Sequence, residues 1–287
     1  MPSVLAGKAT LFYSEEGAGH PVLFAHGIPT DYRAFKAQMS PFSQNFRAIP
    51  YSRRHAYPNE NPFNILESTV SNNSEDQVGL INALKLQPVH LVGHSYGGFV
   101  SLYTAWKHSE LLKSLVLVEP AAPSILVENE KNPFQVLGFL LSNPSAAQSA
   151  RSFQNGFLKM ALKAYDQGDL TSATKYFYNG IKQDPQGFEK LPAEVQKLML
   201  DNAKTIGELE TEFPIVRKKD TRTIRIPTLL VKGEKSPQWL RAIVDSLSRE
   251  MPYSTLVEIS NSGHLPHIEN PSEFNLKVLD FLKKNDA

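Results

Sequence analysis

The order of hydrophobic and polar positions changes along the chain, and over the first 120 residues short apolar runs alternate with longer amphipathic stretches. Four of the runs predict strands, at residues 21–25, 46–52, 88–92 and 115–118. Apolar residues at helical spacing predict helices over 66–86 and 97–109. Because strands that are apolar throughout are buried on both faces, this alternation predicts a mostly parallel sheet with helices packed on both sides.

Between residues 123 and 215 the strand signal almost disappears. Helices are predicted here at 134–141, 153–165, 170–181 and 193–210. Turn-forming pairs such as Asn143-Pro144 and Leu191-Pro192 separate these stretches. We therefore expect a helical insertion over 123–215 within a core formed by residues 1–122 and 216–287.

Strand-like sequence returns after the insertion, with strands predicted at 226–231 and 254–260 and a helix over 237–249. The last helix is predicted to begin at Asn270, because an asparagine cap, Pro271 at the first helical position and Glu273 at the third form a typical helix start. The fold class predicted from these elements is α/β.

Composition and charge narrow the classes of function. The 287 residues include 30 Lys and Arg against 29 Asp and Glu, so a net charge of +1 gives no field that would attract nucleic acid or an anionic membrane. The absence of cysteine excludes disulfides, thiolate metal sites and cysteine nucleophiles. With no secretory signal and no run of about 18 apolar residues, we expect a cytoplasmic protein. We also expect a small-molecule substrate and no cofactor.

The strongest chemical motif is the segment at residues 93–98, GHSYGG, which matches G-x-S-x-G between a predicted strand and a predicted helix. A sharp turn at this position presents the serine hydroxyl at the edge of the sheet, and small flanking residues let strand and helix approach each other. Ser95 is therefore the predicted nucleophile. A turn of the same sequence without chemistry is the simpler alternative.

A serine hydroxyl needs an adjacent base, and eight histidines are candidates. His264 follows the last predicted strand in the segment SGHLP, where a loop can return its imidazole toward Ser95. His267 is the serious competitor. Acyl transfer also needs N–H donors for an oxyanion, and the amides of Ile28, after the early strand, and of Tyr96 are the predicted pair.

Three segments in this order, His26-Gly27, the GHSYGG turn and the 263–266 segment GHLP, resemble the α/β-hydrolase superfamily. The resemblance covers the core on both sides of the insertion. It implies an α/β-hydrolase fold in which residues 123–215 form a cap over the active site. It is much less specific for the substrate.

The chain departs from the family pattern at the acid that orients the histidine. Many members carry Asp shortly after the penultimate strand, but the matching position here is Ser236. Glu119, at the end of the strand that follows the nucleophile helix, resembles the acid of other members and keeps the order serine, acid, histidine. Glu234 is the rival candidate, and both remain open from sequence alone.

The residues around the motifs add two expectations. Arg53 and Arg54 follow a predicted strand, and either an ionic brace for the active-site loops or a solvated turn agrees with their sequence. The aromatic residues of the insertion are expected mainly to pack its interior, with a minority lining an apolar pocket; they include Phe134, Phe139, Phe153, Phe157, Tyr165, Phe177 and Tyr178.

The function expected from the sequence is hydrolysis of a small carboxylic ester or lactone through an acyl-enzyme intermediate. Alternatives on the same residues are hydrolysis of a carbon–carbon bond next to a ketone and a cofactor-free perhydrolase. A ligand-sensing receptor that retains the same three residues is the non-enzyme alternative. Serine at position 95 disfavours the chemistry of family members that use Asp as nucleophile.

Overall fold

A computed structural model describes residues 2–129 and 131–286 and contains a central six-stranded sheet. After a hairpin of β1 (Ser3–Ala6) and β2 (Ala9–Phe12), the sheet strands in chain order are β3 (His20–Ala25), β4 (Phe46–Tyr51), β5 (Val89–His94), β6 (Leu112–Val118), β7 (Thr228–Gly233) and β8 (Ser254–Ile259). Their order across the sheet is β4-β3-β5-β6-β7-β8, and every neighbouring pair is parallel. The predicted α/β class and parallel sheet are confirmed.

Helices connect the strands and cover both faces of the sheet. They are α1 (Lys36–Ser43), α2 (Val70–Ala83), α3 (Ser95–Lys107), α4 (Pro133–Ser142), α5 (Pro144–Ser152), α6 (Lys159–Asp166), α7 (Leu170–Lys182), α8 (Ala193–Asp201), α9 (Lys218–Thr221), α10 (Gln238–Glu250), α11 (Pro266–Glu269) and α12 (Pro271–Lys284). In the described ranges, no helix has the length and apolar character needed to cross a membrane.

Alternate residues of the central strands enter two separate hydrophobic clusters. On β6, Leu115 and Leu117 pack on the face covered by α2, α3 and α10, whereas Val116 and Val118 pack on the face covered by α1 and α12. All four side chains are fully buried. This two-sided burial explains why residues 115–118 are apolar at every position instead of alternating.

The segment between β6 and β7 contains helices and, among its described residues, no strand. The structure differs in detail from the predicted helices here. The stretch 144–152, for which the sequence analysis predicts no helix, forms α5, because Pro144 stands at the first helical position, where its missing N–H is not needed. The predicted helix 193–210 ends at Asp201 and continues as a 3-10 helix over Ala203–Glu210.

The predicted helix 153–165 also differs in detail. It begins as a π-helix over Phe153–Leu158 that joins α5 to α6. A π segment carries one more residue in its turn than an α-helix, so hydrophobic spacing alone does not distinguish the two.

The hairpin of β1 and β2 was not predicted, since its strands are only four residues long and one is largely exposed. It packs against α2, which explains Gly79 in the middle of that helix. A Cβ at Gly79 would lie 2.7 Å from the backbone nitrogen of Gly7 and 2.8 Å from the backbone carbon of Ala6. Glycine at this position therefore permits the close approach of hairpin and helix.

We predict opposite effects of alanine at two helical glycines. Gly79→Ala should destabilise the protein by about 1–3 kcal/mol, since its methyl group collides with backbone atoms that cannot move freely. Gly138→Ala, in α4, where the added Cβ would meet no described atom within 4 Å beyond its own stretch of helix, should stabilise it by about 0.5–1 kcal/mol through helix propensity. Urea denaturation of both variants measures the difference, and equal stability changes would contradict the packing argument.

Candidate active site

Ser95 stands at the sharp junction between β5 and α3. The strand ends at His94 and the helix begins at Ser95, whose φ of +53° lies in the left-handed region that L-residues rarely adopt. A Cβ at Gly93 would lie 2.4 Å from the Ser101 hydroxyl oxygen, and one at Gly97 would lie 2.3 Å from the His26 carbonyl oxygen. The glycines on either side of Ser95 are therefore required for the close crossing of strand, helix and the loop after β3.

The three residues Ser95, His264 and Glu119 form a hydrogen-bonded chain. The Ser95 Oγ lies 2.9 Å from Nε2 of His264, and Nδ1 of the same ring lies 2.7 Å from Oε2 of Glu119. All three residues are buried: Ser95 is 6% exposed, His264 4% and Glu119 0%. Since a carboxylate accepts, Nδ1 carries the proton in the neutral ring, and Nε2 is left as an acceptor for the serine hydroxyl.

Glu119 is the residue that follows β6, and its carboxylate is fully buried with two N–H partners. Oε1 accepts from the backbone N–H of Gly233 at 2.8 Å, and Oε2 accepts from His264. The backbone N–H of Glu119 donates to the carbonyl of Val231 at 3.0 Å, which extends the pairing of β6 with β7. A buried carboxylate is expensive without such donors, so these contacts account for its position.

The rival acid Glu234 makes no hydrogen bond to His264 among the described residues. Its carboxylate is exposed and accepts from the backbone N–H of Asn261 at 2.7 Å. Ser236, where many family members carry the acid, is buried, and its hydroxyl has no hydrogen-bond partner among the described residues. Of the two acids that the sequence left open, the structure brings only Glu119 to the histidine.

His267, the competing base, packs behind His264 instead of facing the serine. Its ring stacks on Phe35 at 5.1 Å and lies 4.5 Å from the ring of His94. Burial lowers the pKa of His267 to about 3, so the ring is neutral at physiological pH. His94 donates its Nε2–H to the carbonyl of His264 at 2.7 Å, which anchors the loop that carries His264.

Ile28 and Tyr96 lie beside Ser95 and His264 in the wall of one cavity. The loop of Ile28 is held by His26, whose Nδ1–H donates to the Gly27 carbonyl at 2.8 Å and whose Nε2 accepts from the backbone N–H of Arg53 at 2.9 Å. Burial, followed by the charge of Arg53, lowers the pKa of His26 well below its ordinary value. His26 therefore supports this loop as a neutral ring.

Arg53 connects the helical segment to the loops around Ser95. Its guanidinium forms a fully buried ion pair with Glu208 at 2.5 Å and donates to the carbonyl of His26 at 3.0 Å. It also lies 4.6 Å above the centre of the Tyr96 ring. Glu208 was not identified from sequence, since it is one of several acidic residues in a helical pattern and only the folded chain shows its partner.

Arg54 makes separate ionic contacts. Its guanidinium pairs with Asp76 at 2.6 Å and with Glu67 at 3.0 Å, so it binds the loop after β4 to α2. Of the two alternatives that the sequence left open for Arg53 and Arg54, the ionic brace is the one present in the structure.

A cavity of about 630 Å³ opens at Ser95 between the sheet and the helical segment. Apolar side chains form most of its wall, including Leu126, Val136, Phe139, Phe153, Leu158, Phe177, Leu209, Phe213, Trp239 and Leu240. Several aromatic residues singled out in the insertion therefore line this space. Trp239 and Leu240 come from α10 of the core, which sequence reasoning did not connect with the site.

Comparisons with known proteins agree with this architecture. The chain matches the alpha/beta hydrolase family model over residues 22–276. It is 24% identical over 281 residues to the AB hydrolase superfamily protein YisY of Bacillus subtilis, and the match covers 95% of each chain. An esterase from Exiguobacterium antarcticum is similar in structure with a TM-score of 0.74 and 18% identity, covering 98% of both chains.

A mutant of an epoxide hydrolase from Bacillus megaterium is similar with a TM-score of 0.76 and 19% identity, covering 98% of this chain and 100% of that one. Structural likeness at these identities describes the fold, and the names of the neighbours span different bond-cleaving chemistries. The family model accounts for most of the chain, including both segments of the core. This chain belongs to the alpha/beta hydrolase family.

Proposed function

We propose that this protein is a serine hydrolase that cleaves a carboxylic ester or lactone through an acyl-enzyme intermediate. The observation that carries the proposal is the 2.9 Å contact of the Ser95 Oγ with an imidazole nitrogen, together with the 2.7 Å contact of the opposite nitrogen with the buried Glu119. A nucleophile, a base within proton-transfer distance and an acid that orients the base are the parts that acyl transfer requires.

In the acylation step, the Ser95 hydroxyl gives its proton to Nε2 of His264 as its oxygen attacks the carbonyl carbon of the ester. The tetrahedral intermediate carries an oxyanion, for which the backbone N–H groups of Ile28 and Tyr96 are the proposed donors. When the intermediate collapses, the alcohol leaves with the proton from His264. In deacylation, His264 takes a proton from the water that attacks the acyl carbonyl, which forms a second tetrahedral intermediate. As this intermediate collapses, His264 returns the proton to the Ser95 oxygen and the carboxylic acid is released.

Glu119 has a positioning and electrostatic role in this proposal. Its acceptance of the Nδ1 proton fixes the tautomer of His264 that can accept from serine, and its negative charge stabilises the imidazolium formed during attack. The second N–H partner, from Gly233, holds the carboxylate in place. No proton transfer to Glu119 is needed.

The shape and polarity of the cavity support an apolar acyl or alcohol group on the substrate. Its wall places Phe139, Leu158 and Phe213 around a space of about 630 Å³ next to Ser95. Apolar surface removed from water on binding contributes about 25 cal/mol per Å². The structural neighbour from Exiguobacterium antarcticum is an esterase, which supports the same class of reaction.

Replacing the proposed nucleophile tests the reaction class. Ser95→Ala should reduce kcat for p-nitrophenyl butyrate by roughly 10⁵- to 10⁶-fold, because no oxygen remains to form the acyl intermediate. Ser236→Ala, which changes another buried serine whose hydroxyl has no partner among the described residues, should keep full activity. Steady-state hydrolysis with circular dichroism of each variant measures both, and wild-type turnover in Ser95→Ala would refute the proposal.

The two acids predicted from sequence give a matched pair of variants. Glu119→Gln should lower kcat on the order of 10³- to 10⁴-fold, since an amide N–H facing His264 favours the wrong tautomer. Glu234→Gln should change kcat less than about twofold, because that carboxylate is exposed and its described hydrogen bond is to the backbone of Asn261, not to His264. Equal losses in the two variants would reject the assignment of Glu119.

The role of the cavity is measured with esters of increasing acyl length. From acetate to hexanoate, kcat/KM should rise by at least about tenfold as methylene groups enter the apolar space. Val136→Trp, on the cavity wall, should remove this gain while leaving acetate hydrolysis intact. Leu137→Trp, at the half-exposed next position of α4, is the control and should keep the rise of kcat/KM with acyl length. A chain-length profile that is flat in the wild type would contradict an apolar substrate.

A further inference from the structure

A second cluster of chemically active side chains lies at the opposite edge of the sheet from Ser95. His20 begins β3, His90 is the second residue of β5, and Asp286 follows α12. In a parallel sheet these amino ends lie away from the carboxyl ends that carry Ser95 and Glu119. Among the residues that the structure describes, this is the only group of three His, Cys, Asp or Glu side chains with converging ligand atoms.

The distances in this cluster agree with tetrahedral metal coordination. Oδ1 of Asp286 lies 3.5 Å from Nδ1 of His20 and 3.3 Å from Nε2 of His90, and all three ligand atoms lie within 4.8 Å of one another. Zinc–nitrogen bonds of about 2.0–2.1 Å place neighbouring ligand atoms of a tetrahedron about 3.3–3.4 Å apart. The separation of 3.3 Å therefore has this value and that of 3.5 Å is slightly longer, while the two imidazole nitrogens lie within 4.8 Å of each other.

The other nitrogen of each imidazole is engaged by a neighbouring group. Nε2 of His20 lies 2.7 Å from the carbonyl oxygen of Pro88, and Nδ1 of His90 lies 2.7 Å from the hydroxyl of Ser114. Metal-binding histidines are generally held in this way, with the second nitrogen bonded to a carbonyl, carboxylate or other polar group. The contacts fix both rings with their remaining nitrogens directed at Asp286.

His20 shows why a cation belongs in this position. The Pro88 carbonyl only accepts, so Nε2 carries a proton and a neutral His20 ring presents a lone pair at Nδ1. That lone pair faces a carboxylate oxygen, which is also an acceptor. Two facing acceptors repel unless a proton or a metal ion lies between them.

A nearby lysine opposes metal binding and lowers the affinity of the site for a cation. The ammonium of Lys113 lies 3.9 Å from Oδ1 of Asp286 and donates to the backbone carbonyl of the same residue at 2.7 Å. A divalent ion beside it would experience like-charge repulsion, which lowers affinity without blocking the ligand atoms.

We propose that His20, His90 and Asp286 form a binding site for a divalent transition metal ion of the zinc type, with water completing the coordination. Two imidazoles and one carboxylate are a donor set that suits zinc and similar ions, whereas magnesium and calcium prefer oxygen ligands. The ion would join the residues after α12 to β3 and β5.

Isothermal titration of the chelator-treated full chain with zinc chloride tests the proposal. One equivalent should bind, and the melting temperature should rise by roughly 4–5 °C at free zinc a hundredfold above Kd. Magnesium chloride should give neither effect. Absence of zinc binding in the wild type would overturn the site and would indicate that a proton bridges His20 and Asp286.

Variants locate the bound ion. His20→Ala and Asp286→Asn should each weaken zinc binding more than about tenfold, and Lys113→Met should strengthen it by removing the opposing charge. His108→Ala is the matched control, because His108 also lies near two carboxylates, at 3.8 Å from Glu75 and from Glu110, but has no second imidazole. Equal affinity in His20→Ala, Asp286→Asn and the control would place the ion elsewhere and refute the proposal.

Discussion

The buried carboxylate of Glu119 is the constraint on which the arrangement around Ser95 depends. A charged group with no exposure must find hydrogen-bond donors inside the protein. Glu119 takes one from the backbone of β7 and one from His264, so satisfying the carboxylate also fixes the loop after β8 against the end of β6. The orientation of the imidazole toward Ser95 follows from this contact. The hydrogen bond from His94 to the carbonyl of His264 adds a second anchor to the same loop.

The backbone at the site is strained, and the surrounding sheet maintains it. Ser95 and Glu119 both have positive φ, at +53° and +45°, and each directly follows a central strand. Non-glycine residues in this region are disfavoured by on the order of 1–3 kcal/mol each. Strands β5 and β6 pair with neighbours on both sides, so the chain has little freedom to relax these two junctions. Both side chains therefore project from the same edge of the sheet.

The parts proposed for chemistry and for substrate choice come from different regions of the chain. Ser95, Glu119 and His264 lie at the ends of core strands, whereas much of the cavity wall comes from helices between β6 and β7. The buried ion pair of Arg53 with Glu208 joins the two regions next to the His26 loop. Because the wall residues from these helices lie outside the hydrogen-bonded chain of Ser95, His264 and Glu119, substitutions there change the cavity without removing a hydrogen bond from Ser95. Such a division explains how one fold supports enzymes that cleave different bonds, such as the esterase and the epoxide hydrolase to which this chain is similar.

The sequence by itself determined the parallel sheet and the helical character of residues 123–215, and it predicted Ser95 and His264 as nucleophile and base. Continuous apolar runs, the GHSYGG turn and the SGHLP segment are local signals, although the last left His267 as a competing base. It left Glu119 and Glu234 open, since both follow apolar strands and local sequence does not say which strand end lies beside His264. Only the tertiary structure decided that contact, together with the Arg53–Glu208 pair and the approach of His20, His90 and Asp286. These groups are separated by up to 266 positions and are brought together by the order of strands in the sheet and the packing of α12, which no local pattern records.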